Sequence, residues 1–112
     1  IMASKEDASK GRRLLIRLLS ETNDRLLRVR ANLALGFLSL VIAPDVDQAS
    51  EYFTVSHGIL SKLLPPIHPL IAKALIGIGY CFYARHDIKA AKKQFEMAFD
   101  IQKEALTYRH PD

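Results

Sequence analysis

The sequence predicts an all-α protein, a solenoid of about five helices stacked as antiparallel pairs, and three observations predict it. Shifted by 42 residues without gaps, the chain falls on itself: Asp45 on Asp87, Ala49 on Ala91, Phe53 on Phe95, Ile59 on Ile101, Leu64 on Leu106 and His68-Pro69 on His110-Pro111. Apolar residues recur at spacings of three and four between cap and proline signals. No segment alternates as a strand would. A repeat unit of this size cannot bury its apolar face alone, so it stacks on a neighbour and leaves an extended surface of the kind that binds polypeptides.

Residues 1–23 hold the first helix, expected from about Lys5 to Glu21. It lies 42 residues before a later helix and reads as the second helix of a degenerate preceding unit, or as an N-terminal cap. Residues 24–66 form the first full unit. Its opening helix follows the Ser20-Glu21-Thr22-Asn23 break, starts at Asp24 and ends at Pro44. Leu26, Leu27, Leu33, Ala34, Phe37, Leu38, Val41 and Ile42 give that helix a wide apolar surface. Asp45 caps the next helix, with Gln48 placed for a capping box. Ala49, Phe53, Ser56, Leu60 and Leu63 then form a stripe that stops before Pro65-Pro66.

Residues 67–109 form the second unit. His68 precedes Pro69, which suits a first helical turn, and Ile71, Leu75, Ile76, Ile78, Tyr80, Phe82 and Tyr83 fill the helix that follows. Asp87 is the matching cap for a last helix with Ala91, Phe95, Ala98, Ala105 and Leu106 as its buried stripe. If fully buried, Phe95 is worth about 3–5 kcal/mol against alanine. Residues 110–112 stand where a third unit would open, so the chain reads as a piece of a longer array.

Composition narrows the function. Nearly half of the 112 residues are apolar and the net charge is +4, as expected of a folded chain. Residues 1–30 carry eight Lys or Arg against four acids, while the remainder balances at eight against eight. A basic end can meet an anionic partner, but no aromatics interleave these cations to stack on bases, which disfavours nucleic acid. Cys81 is the single cysteine, so an intrachain disulfide is excluded, and its apolar helical setting predicts a small buried hydrophobe. The longest apolar segment, Ala31 to Ala43, has 13 residues, below the roughly 18 that a membrane span needs. Ile1-Met2-Ala3-Ser4-Lys5-Glu6 does not read as a signal peptide. These features predict an intracellular, cytoplasmic protein.

The second unit resembles a tetratricopeptide repeat. With Ala72 as its first position, Leu75, Ile78, Gly79, Phe82, Ala91, Phe95 and Ala98 fall on that family's signature sites. Ile101, Leu106 and His110-Pro111-Asp112 resemble the longer, 42-residue variety found in kinesin light chains. In the first unit Leu35-Gly36, Ala49 and Phe53 fit, Ser39 and Ser56 replace an aromatic and an alanine, and Gly36 stands one residue out of phase with Gly79. The resemblance covers residues 29–112. It implies a right-handed superhelix in which the first helix of each pair lines a concave groove. Groove-facing positions would be Leu38 and Val41 in the first unit and Lys73, Ile76, Tyr80 and Tyr83 in the second. Two phenols, a cation and an apolar floor suit an amphipathic helix or a short extended peptide. The Lys and Asn pattern that clamps a terminal carboxylate in some members is not recognisable.

Catalytic chemistry is not legible. His57, His68, His86 and His110 lack the spacing of a metal site, and His68 and His110 read as turn or cap residues. Gly77-Ile78-Gly79 sits mid-helix, where it permits close packing rather than phosphate binding. The His110-Pro111-Asp112 run resembles the loop of a J-domain, but the same His-Pro recurs 42 residues earlier and no third J-domain helix follows. The sequence therefore predicts a non-enzyme without cofactor, a scaffold or adaptor for a protein partner. The alternative is the tetratricopeptide-like C-terminal region of a SET and MYND lysine methyltransferase. Self-association through uncapped repeat ends is a third expectation.

Overall fold

Caps and turn bonds decide where each helix begins and ends. The computed structural model describes residues 5–41 and 45–109, which form α1 (Lys5–Glu21), α2 (Arg25–Val41), α3 (Val46–Leu63), α4 (Pro69–Ala84) and α5 (Ile88–Arg109). Asp24 caps α2 by accepting from the Leu26 and Leu27 amides at 3.0 and 3.2 Å. Asp45 caps α3 through the Gln48 amide at 3.0 Å, and Asp87 caps α5 through the Ala90 amide at 3.2 Å. At the start of α4 the His68 Nδ1 accepts from the Leu70 amide at 3.1 Å, with Pro69 in the first turn. The expected end of α2 at Pro44 and the cap at His110 lie outside the described residues.

The two tight turns differ in length by one residue, and this accounts for the offset of Gly36 against Gly79. After α4, the Asp87 amide bonds to the Phe82 carbonyl and the His86 amide to the Tyr83 carbonyl, a Schellman closure with His86 at φ 64°. After α2, the Asp45 amide bonds to the Ser39 carbonyl at 2.9 Å, spanning six residues where the second unit spans five. That bond also corrects one expectation. The Asp45 amide is taken by Ser39, so Gln48 does not complete a capping box, and its side chain instead accepts from Arg12 of α1 at 3.1 Å.

Each helix packs on its neighbours in the chain, and α2 packs on α4 as well. Between them lies a core that includes Val29, Leu33, Ala49, Phe53, Leu60, Ile71, Leu75 and Cys81. The Phe53 ring is fully buried between two glycines. A Cβ placed on Gly36 of α2 would stand 2.7 Å from it, and one on Gly77 of α4 closer still. Without those two glycines, α2 and α4 could not both close on α3.

Some positions expected inside are not. Leu63 is 40% exposed and Leu106 60%, because each faces an open cleft rather than a helix. Leu27 and Val41 of α2 also reach solvent. Tyr80 and Tyr83 do not fill the interior of α4, and Phe95 is only half-buried.

Candidate functional site

The α4 sequence is apolar on nearly every side, so its interior face buries Ile71, Ala72, Ala74, Leu75 and Cys81 while apolar side chains remain at the surface. Lys73, Ile76, Tyr80 and Tyr83, three, four and three residues apart, make one stripe along it. Lys73 is exposed, Ile76 half-buried, Tyr80 49% exposed and Tyr83 60% exposed. On α2, against which α4 packs, Leu38 is half-buried and Val41 exposed. The Tyr80 ring stands edge-on to Phe95, centroids 5.3 Å apart at 70°, so its position is fixed from the α5 side.

Besides the opening at Leu106, three clefts were not foreseen from the sequence, one of them sharing Tyr83 with the stripe. One, roughly 330 Å³, lies between α2 and α3, with Arg25, Arg28 and Lys62 around an apolar floor of Val55, Ile59 and Leu63. Arg28 is committed there, since its guanidinium donates to the Leu19 and Thr22 carbonyls at the end of α1. Beside it, Asn32, Gln48, Glu51, Tyr52 and Val55 line a second cleft of about 290 Å³. The largest of the three, roughly 530 Å³, opens on α5 between Tyr83, Ile88, Ala91, Phe95 and Phe99, rimmed by Lys92, Glu96 and Asp100. The signal for the first was present in sequence: Arg25, Arg28 and Asn32 share a face of α2, as do Val55, Ile59 and Lys62 on α3.

The histidines serve separate ends. His68 caps α4, His86 occupies the left-handed turn and His57 is half-buried on α3. Among the described residues no group of three His, Cys, Asp or Glu is placed to hold a metal ion. Gly77 and Gly79 lie under the Phe53 and Phe95 rings, a packing role. Cys81 is buried, and burial pushes its thiol up from its ordinary range against a weaker downward pull from Arg85. Among the described residues no helix is long and apolar enough to cross a membrane. Comparison with protein-family models, with curated proteins and with solved structures gives no match.

Proposed function

We propose that this chain is a protein–protein interaction module, a tetratricopeptide-like scaffold or adaptor whose α2 and α4 line a concave groove for a partner peptide or helix. The observation that carries this reading is the exposure of Tyr80 and Tyr83 on the most apolar helix of the chain. Tyrosines held half out of a packed helix offer large contact area at low entropic cost, which is why they concentrate binding energy at interfaces. Ile76, Leu38 and Val41 supply the apolar floor and Lys73 a charge that orients the partner. The radius of gyration, 14.8 Å against about 13 Å for a compact globule of this length, fits a short stack of helical pairs. The module works by binding alone, without cofactor, and its buried unpaired cysteine suits a reducing, cytoplasmic setting.

Peptides selected against the chain from a random display library test the groove. Lys73→Glu and Tyr80→Ala should each weaken the selected peptides by about tenfold or more while circular dichroism stays unchanged. Undiminished affinity in both variants refutes the assignment.

A further inference from the structure

Phe53 and Phe95 are equivalent under the 42-residue repeat, yet only Phe53 is closed in on both sides. Gly36 of the preceding helix and Gly77 of the following helix meet at the Phe53 ring. Phe95 has Gly79 on one side, and on the other the open cleft bordered by Ile88 and Phe99, which are 55% and 63% exposed. The seat that α4 fills on α3 is thus repeated on α5 without an occupant among the described residues. Its chemistry differs at the rim. Where α3 carries the uncharged Ser50, Thr54 and Gly58, α5 carries Lys92, Glu96 and Asp100, two acids and one base. A helix fitted to it needs a small residue to cross Phe95, aliphatic side chains for Phe99 and Ile88, and cations on its flank.

At the other end of the molecule, α1 has these features on a side that the fold covers only in part, with Gly11 and Leu18 half-buried. Gly11 sits in mid-helix, where glycine costs about 1 kcal/mol against alanine, and a Cβ there would meet nothing within 4 Å. Leu14 and Leu18 follow it at helical spacing, Leu14 65% exposed, with Lys10 and Arg17 alongside. Those cations are exposed at the surface, where their pairings with Glu6 and Glu21 on the same helix are weak and exchangeable.

We infer that α1 of a second copy seats on α5, with Gly11 over the Phe95 ring and Lys10 and Arg17 towards Glu96 and Asp100. The contact is heterologous, so copies add head-to-tail, in an open row where the rotation between them does not close a ring. It goes beyond the groove reading and does not use Lys73, although Tyr83 borders both surfaces and Tyr80 packs on Phe95.

Sedimentation velocity on the full chain over a concentration series to about 100 μM reads this directly. The average mass should climb with concentration with no fixed dimer endpoint, and fall as salt is added. Gly11→Leu and Phe99→Glu, both at exposed or open positions, should each give a monomer with unchanged helicity. The decisive step mixes the two variants, because Phe99→Glu retains a good α1 and Gly11→Leu a good α5. The mixture should form a one-to-one dimer and nothing larger. A wild-type monomer throughout, association surviving either variant, or a mixture that stays monomeric overturns the proposal. A dimer abolished by Phe99→Glu and untouched by Gly11→Leu also overturns it, and assigns α5 to a two-fold contact with itself. Since Lys73→Glu leaves this assembly intact, failure of the groove and failure of the seat are read separately.

Discussion

Tyr80 stands edge-on to Phe95, ring centroids 5.3 Å apart at 70°, and Phe37 stands to Phe53 in the same way at 4.7 Å and 66°. Each aromatic follows a glycine, Gly79 and Gly36, at which a Cβ would come within 2.7 Å of the same phenylalanine ring. The repeated unit is therefore a physical device: a Gly-aromatic pair on one helix that clasps a phenylalanine on the next. Closeness and ring geometry come together, since the ring can sit edge-on only if the backbone beside it carries no side chain.

Substitution of the helical glycines should separate those that admit a ring from those that do not. Gly77→Ala forces a methyl into the Phe53 ring, which Gly36 prevents from retreating, and should destabilise by about 1–3 kcal/mol even after the gain in helix propensity. Gly58 of α3 has nothing within 4 Å of its added Cβ, so Gly58→Ala should stabilise by up to about 1 kcal/mol. Urea titrations with unchanged slope would report both, and a stabilised Gly77→Ala would mean that the clasp is looser than its geometry.

Phe53→Ala should cost about 3–5 kcal/mol, since the ring is wholly buried. Phe95→Ala, expected at the same cost if its ring were buried, should lose about half as much, because one side of that ring already faces the α5 cleft. Equal losses in thermal denaturation of the monomer would show that the cleft closes in solution.

The helix boundaries were legible because they are written in local chemistry: Asp24, Asp45, His68 and Asp87 each accept from an amide of the turn they open. Register was harder. The out-of-phase Gly36 is visible in sequence, but its cause, an extra residue between Ser39 and Asp45, depends on which carbonyl the Asp45 amide chooses. Burial at α5 was misread for a different reason. Leu106 and Phe95 carry the spacing of a buried stripe, and spacing shows which residues share a face without showing whether a neighbour covers it. The stripe Lys73, Ile76, Tyr80 and Tyr83 came from the family resemblance and runs from exposed Lys73 to half-buried Ile76, whereas the α2–α3 and α5 clefts depend on the gaps left between packed helices.

Ser56 is the weak point of the core. Its hydroxyl is buried with no hydrogen-bond partner among the described residues, and the repeat places alanine at the equivalent position, Ala98. Ser39, also buried, differs in that it donates to the Leu35 carbonyl at 2.9 Å. Ser56→Ala should therefore stabilise by about 1 kcal/mol, while Ser39→Ala should be neutral or mildly destabilising. A loss of stability in Ser56→Ala would indicate that a buried water satisfies the hydroxyl.

His86 holds φ 64° to close the Schellman turn between α4 and α5. A residue with a Cβ is strained there by about 1–2 kcal/mol, and glycine is not, although glycine is freer in the unfolded chain. His86→Gly should raise stability by a few tenths to about 1 kcal/mol, and His86→Val, branched at Cβ, should lower it. Differential scanning calorimetry of the pair checks the sign.

Cys81 should be inert in the folded chain and reactive only when it opens. It is 1% exposed in α4, and burial raises its pKa above the ordinary value of 9.0, so at neutral pH both access and thiolate are lacking. Iodoacetamide should label it only through global opening, at a rate that rises with urea in proportion to the unfolded fraction. The same shift has a sign in stability. The folded state holds the proton more tightly than the unfolded one, so this contribution is fully present below pH 9.0 and is lost as pH rises through the folded pKa. Cys81→Ala removes the titration and keeps a small apolar side chain in the helix, so the wild type should lose stability relative to that variant as pH climbs past 9.0. Rapid labelling at neutral pH without denaturant would place the thiol at the surface and remove the basis for both expectations.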